Sequence, residues 1–195
     1  MIAIIDSGGA NIASVVFALK RLGKPACLTS DKKIICSASH VILPGVGAAA
    51  NAMRKLIEFD LITTIPALTQ PVLGICLGMQ LLYEYSAEGN VVCLGIFSGK
   101  VEKIPLQNNL VIPHMGWNTL NLINQSCLTR NIPEKSYMYF VHSYIAPVTK
   151  QTCAFTQYGK DFSAITQNKN FYATQFHPER SGEMGAKLLQ NFVEL

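Results

Sequence analysis

Apolar residues fall into two kinds of run along the first half of the chain. Short blocks rich in β-branched residues, Ile2 to Asp6, Ala26 to Ser30, His40 to Leu43 and Val72 to Ile75, alternate with stretches in which apolar positions recur at helical spacing. Val15, Val16, Leu19 and Leu22 share one face of a helix predicted from about Ile12 to Leu22, and an alanine-rich helix containing Met53, Leu56 and Ile57 follows the third block. Buried strands separated by helices predict parallel pairing through helical crossovers. The run from Leu77 to Tyr85 predicts one more helix, with Leu81, Leu82 and Tyr85 packed inward.

Beyond Gly89 the runs shorten and alternate, broken by Gly-Lys, Asn-Asn and Pro, which predicts an antiparallel or mixed extension of the sheet. Cys153 to Gln157 and Phe162 to Thr166 flank a turn, and Phe171 to Phe176 follows Asn168-Lys169-Asn170, so two hairpins are expected. A last helix begins near Ser181. The expected fold class is α/β: a three-layer, doubly wound, mostly parallel sheet with an antiparallel extension in the second half. With 195 residues and no repeat or linker, one domain over 1–195 is expected.

Composition narrows the function classes. With 49% apolar and 14% charged residues, the chain can bury enough surface to fold. The net charge of +4 is scattered, not gathered into a basic run, so nucleic acid is not an expected partner. Pro71 to Leu82, the longest apolar stretch, is shorter than the roughly 18 residues of a membrane span. The start, Met1 to Asp6, lacks a basic n-region, and the six cysteines lack CxxC spacing, so reduced thiols in a cytoplasmic protein are expected.

Chemistry concentrates at three places. Gly74-Ile75-Cys76-Leu77-Gly78 sets a cysteine between glycines where a strand gives way to a helix, the thiol form of a strained nucleophile elbow. The helix N-terminus favours a thiolate there, and the Leu77 N–H can point at an oxyanion. A thiol attacking an amide needs a base that later protonates the leaving amine. Gln175-Phe176-His177-Pro178-Glu179 offers His177 at a strand end, with Glu179 placed to orient the ring. Pro44-Gly45-Val46-Gly47 either is a plain turn or brings backbone N–H groups to a substrate as a second half of an oxyanion hole.

The remaining histidines invite structural explanations: His40 opens a strand, His114 precedes Met115-Gly116-Trp117 and His142 lies in an aromatic strand. None has zinc spacing, and neither metal nor cofactor is expected. Trp117, the only tryptophan, is open to two readings, a core side chain or an interface anchor.

Taken together, the Pro44–Gly47, Gly74–Gln80 and Gln175–Glu179 motifs resemble the class I (triad) glutamine amidotransferases over almost the whole length. Within them, Pro113 to Asn118 and Tyr139 to Tyr144 look like the glutaminase subunits of imidazole glycerol phosphate synthases, of histidine biosynthesis. The resemblance implies a triad of Cys76, His177 and Glu179, with Cys76 forming a γ-glutamyl thioester. It also implies oxyanion N–H groups from Val46 and Leu77, and a glutamine cradle of Gly45, Gly47, Gln80, His142, Ser143 and Tyr144. The implied partner is a (β/α)8-barrel cyclase that takes the ammonia in a heterodimer, met by Asn11, Trp117, Tyr139 and Arg180. Ser7 and Ala10 depart from the family's usual first loop.

Three alternatives stay open on sequence. A glutaminase serving another synthase, such as anthranilate synthase, would use the same triad and is disfavoured by the His114 and Tyr139 motifs. A docking protein with an idle triad leaves the intact Cys76, His177 and Glu179 unexplained. A redox-sensing thiol at Cys76 gives Glu179 no purpose.

Overall fold

The computed structural model describes residues 1–7, 12–45, 47–106 and 110–195. In chain order the elements are β1 (Ile2–Ile5), α1 (Ile12–Arg21), β2 (Ala26–Thr29), α2 (Lys32–Ser37), β3 (His40–Leu43), α3 (Ala49–Glu58), β4 (Val72–Ile75) and α4 (Leu77–Leu81). Then come β5 (Tyr83–Ser86), β6 (Val91–Val92), β7 (Phe97–Lys103), β8 (His114–Thr119), β9 (Asn121–Leu122), β10 (Tyr137–His142) and β11 (Tyr144–Ile145). β12 (Thr152–Tyr158), β13 (Lys160–Asn168), β14 (Phe171–Thr174) and α5 (Gly182–Val193) complete the chain.

The main sheet has eight strands in the order β2-β1-β3-β4-β14-β13-β12-β9. The first five are parallel to one another, and β13, β12 and β9 extend the sheet antiparallel. Every residue of β1, β4 and β14 is buried, as strands covered on both faces must be. Successive side chains alternate between two cores: Ile2 and Ile4 join the one formed with α1 and α5, Ala3 and Ile5 the one formed with α2, α3 and α4. The helices thus form the two outer layers. Two smaller sheets flank them, β10 paired antiparallel with β8, and a mixed sheet of order β11-β7-β5-β6.

The helix expected over Leu77 to Tyr85 is shorter than its apolar pattern suggests. It stops at Leu81, and Tyr83 to Ser86 form β5 instead. A short apolar run has no period that separates buried helix from buried strand, and tertiary contacts decide it. Tyr83 is fully buried with its hydroxyl 3.0 Å from that of Thr166, whereas Tyr85, expected inward, lies half-buried with Lys100 over its ring. Helix α2, absent from the sequence expectation, is capped by Asp31, whose side chain accepts from the Lys33 and Ile34 N–H groups.

This topology places the site. Pro44 follows β3, Cys76 follows β4 and Gln175 follows β14, three neighbouring parallel strands whose C-terminal ends share one sheet edge. Ligands of open α/β sheets bind outside such ends. No helix among the described residues is long and apolar enough to cross a membrane.

Candidate active site

The turn from β4 into α4 is held by close approach. A Cβ on Gly78 would sit 1.8 Å from the Leu43 carbonyl oxygen, and one on Gly74 would sit 2.9 Å from the Gly78 carbonyl oxygen and the Met79 nitrogen. Any larger residue at Gly78 would push α4 off the end of β3. Between these glycines Cys76 has φ 54° and ψ −110°, a left-handed conformation costing a non-glycine residue about 1–3 kcal/mol. Its N–H donates to the Thr174 carbonyl at 2.8 Å, which ties the elbow to β14 and helps the structure carry the strain. Gly45, expected at the substrate, instead packs under the elbow, with its added Cβ 2.8 Å from that of Leu77.

His177 leaves the end of β14 with its backbone fastened to β10. Its N–H donates to the Tyr139 carbonyl at 2.9 Å, the Ser181 hydroxyl donates to the His177 carbonyl at 2.7 Å, and the Tyr139 N–H donates to that same hydroxyl at 2.9 Å. Pro178 opens a 3-10 turn over Pro178–Arg180 that swings Glu179 back beside the ring. The Glu179 Oε1 lies 2.8 Å from His177 Nδ1, with both side chains almost fully buried. A carboxylate accepts only, so Nδ1 carries hydrogen and Nε2 is the working nitrogen. Nε2 is buried and makes no well-formed hydrogen bond among the described residues, although the Cys76 sulfur is near enough to act on it.

Burial alone would lower the His177 pKa, but the Cys76 sulfur and the Glu179 carboxylate outweigh it and hold the ring up, to about 10. The two neighbours therefore favour the protonated imidazole over the neutral one. Any stability the charged ring contributes is full below about 6.5 and lost as pH rises through about 10.

Cys76 and His177 open together onto a cavity of about 240 Å³ lined also by Gly47, Leu77, Gln80, Glu88, Val141, His142, Ser143 and Tyr144. This is below the roughly 300–1,000 Å³ of sites for drug-sized ligands and suits a smaller solute. Of the residues named from sequence, Leu77, Gly47, Gln80, His142, Ser143 and Tyr144 reach it. Val46 and Asn11 lie outside the described residues. Trp117, 55% exposed, is no core residue; it meets Tyr139 edge to face at 5.9 Å on the open face of the β8–β10 pair, and Arg180 is exposed.

Two groups at the site were not singled out from the sequence. Glu88 lines the cavity and accepts from the Ala49 N–H at 3.0 Å, while burial pushes its carboxyl above the usual range despite that bond. It follows a strand whose apolar pattern predicts helix, so nothing marked its direction. Gln175, inside the histidine motif, is fully buried and holds its Nε2 3.9 Å from the Cys76 sulfur. Its place two residues before His177 was the available clue.

The family model "Glutamine amidotransferase class-I" matches residues 3–195. The chain is 49% identical over 195 residues to the imidazole glycerol phosphate synthase subunit HisH of Bacteroides fragilis (strain YCH46), covering 100% of this chain and 99% of that protein. It is 52% identical over 193 residues to the protein of the same name from Haemophilus influenzae (strain Rd), covering 99% and 96%. Among solved structures, PurLQS from Thermotoga maritima superposes with a TM-score of 0.74 at 21% identity, over 99% of this chain and 97% of that one.

Two outcomes test this geometry. G78A is expected to lower stability by more than about 3 kcal/mol, read as a fall in the urea midpoint, because backbone opposes the new methyl. E179Q is expected to lower the His177 titration midpoint, followed by NMR, since it removes a group that raises it.

Proposed function

The chain belongs to the class I glutamine amidotransferase family, and we propose that Cys76, His177 and Glu179 form its catalytic triad. It is the glutaminase component of an imidazole glycerol phosphate synthase and works with a partner subunit. The observation that carries the triad assignment is the buried His177–Glu179 pair facing Cys76 across one small cavity at the end of three parallel strands. The whole of 1–195 serves as one glutaminase domain, which we place in the cytoplasm.

In this reading the Cys76 thiolate attacks the side-chain carbonyl carbon of glutamine, and the resulting oxyanion meets the Leu77 N–H. Leu77 is the first residue of α4, where no intrahelical acceptor exists for its N–H. Val46 supplies a second N–H. The tetrahedral adduct collapses as the His177 imidazolium gives its Nε2 proton to the departing nitrogen, which releases ammonia and leaves a thioester. Neutral His177 then takes a proton from water as it attacks the thioester, and glutamate departs with the thiolate restored. Glu179 holds the ring's tautomer throughout.

Glutamine is held by Gln80, Gly47 and the 142–144 segment, with Glu88 pairing with its α-ammonium group; Gly45 acts from beneath, through the elbow. The partner is a (β/α)8-barrel cyclase in a heterodimer. The face that suits it carries Met115, Trp117, Tyr137 and Tyr139 on β8 and β10, with Met115 68% and Tyr137 62% exposed. Aromatic anchors of this kind concentrate binding energy at interfaces. Asn11 and Arg180 belong to the same contact.

C76A, still folded, is expected to release no ammonia from glutamine in the presence of the cyclase; retained turnover would refute Cys76 as nucleophile. Turnover by the isolated chain is expected to rise when cyclase and ribotide ligand are added, and equal rates would remove the partner's role in activation. W117A is expected to weaken the heterodimer by roughly 30-fold, the scale of an interface hot spot, measured by titration calorimetry.

A further inference from the structure

The carbonyl oxygen of Tyr144 can only accept, and two side chains donate to it: His142 through Nδ1 at 2.9 Å and Gln80 through Nε2 at 3.0 Å. That one acceptor orients everything around it. A neutral His142 with its proton on Nδ1 presents a bare Nε2, and His114 Nδ1 lies 3.0 Å away, so His114 must carry its own proton on Nδ1 and donate it. His114 Nε2 is then an acceptor for the Asn118 amide at 3.3 Å, whose other hydrogen goes to the Gln157 carbonyl at 3.0 Å.

Gln80 gives its second hydrogen to Gln175 Oε1 at 3.0 Å, and Gln175 in turn directs its amide at the Cys76 sulfur. With both Gln80 hydrogens committed, the group it has left for a solute in the cavity is its carbonyl oxygen. Both histidines are buried among rings, His114 stacked on Tyr158 at 4.0 Å and His142 edge-on to Phe162 at 5.0 Å. Burial lowers their pKa values to about 4 and about 3, which keeps the relay neutral and its hydrogens unambiguous.

We infer that His114 and His142 are positioning residues for glutamine: they lock the Tyr144 carbonyl, and through it turn the Gln80 carbonyl oxygen toward the substrate. A pair that merely filled space would need neither ordered hydrogens nor the Asn118 donor at its outer end. The inference rests on the glutaminase reading and extends it from the cavity to strand β8, where Asn118 adjoins the exposed Trp117.

The test uses the full chain bound to its cyclase. Nitrogen-15 NMR at neutral pH is expected to find both rings neutral with hydrogen on Nδ1. H114F, which keeps a ring but removes the donor, is expected to raise KM for glutamine about tenfold with kcat changed less than about twofold, the scale of one stranded buried acceptor. H114N, which sets an amide N–H where Nδ1 was, is expected to recover most of that loss. A His142 ring protonated on Nε2, an unchanged KM in H114F, or an H114N no better than H114F would each overturn the inference. Should H114F not fold, the tautomers of the unsubstituted protein still decide. Failure of the parent to turn over glutamine, or of glutamine to protect Cys76 from a glutamine-like electrophile, would instead overturn the glutaminase reading.

Discussion

The contact between Gly78 and the Leu43 carbonyl is the constraint on which the rest hangs. With no side chain at Gly78, α4 starts directly over the end of β3, and Cys76 is forced into a left-handed conformation at the lip of the sheet. The sulfur then projects where the neighbouring strand, β14, delivers His177. Register does the remaining work: Thr174 pairs with Ile75, so Gln175 stands beside Cys76 and the histidine follows two residues on. Two residues 101 positions apart in sequence meet because their strands are neighbours ending at the same level.

Much of this was legible in the sequence. The strand blocks, the crossover helices and the elbow each announce themselves by residue type, since glycine flanking a cysteine at a strand end has few other uses. The bounds of β1, β3 and β4 agree with their apolar blocks to within a residue. The limits of legibility are equally physical. Leu77 to Tyr85 reads as helix because burial on all sides erases period, and only the pairing of Tyr83–Ser86 with β6 and β7 reveals a strand. Helix α2, six residues long with one buried side chain, has too little amphipathic pattern to be seen.

The site was legible where chemistry needs a particular residue type and illegible where it needs only a direction. Cys76, His177 and Glu179 are distinctive in kind and spacing. Glu88 is an ordinary acid until the strand before it points it at the cavity, and the histidine at 114 has a bland neighbourhood until β8 and β10 pair His114 directly with His142. Trp117 shows the same point from outside: its exposure settles that it is not core, which no count of tryptophans could.

Strand β10 has a double allegiance. Its outward residues, Tyr137 and Tyr139, meet solvent, while its backbone grips His177 at Tyr139 and its Val141 carbonyl sits 3.7 Å from the Cys76 sulfur. One two-stranded ribbon therefore joins the outward aromatic surface to the backbone that fixes His177.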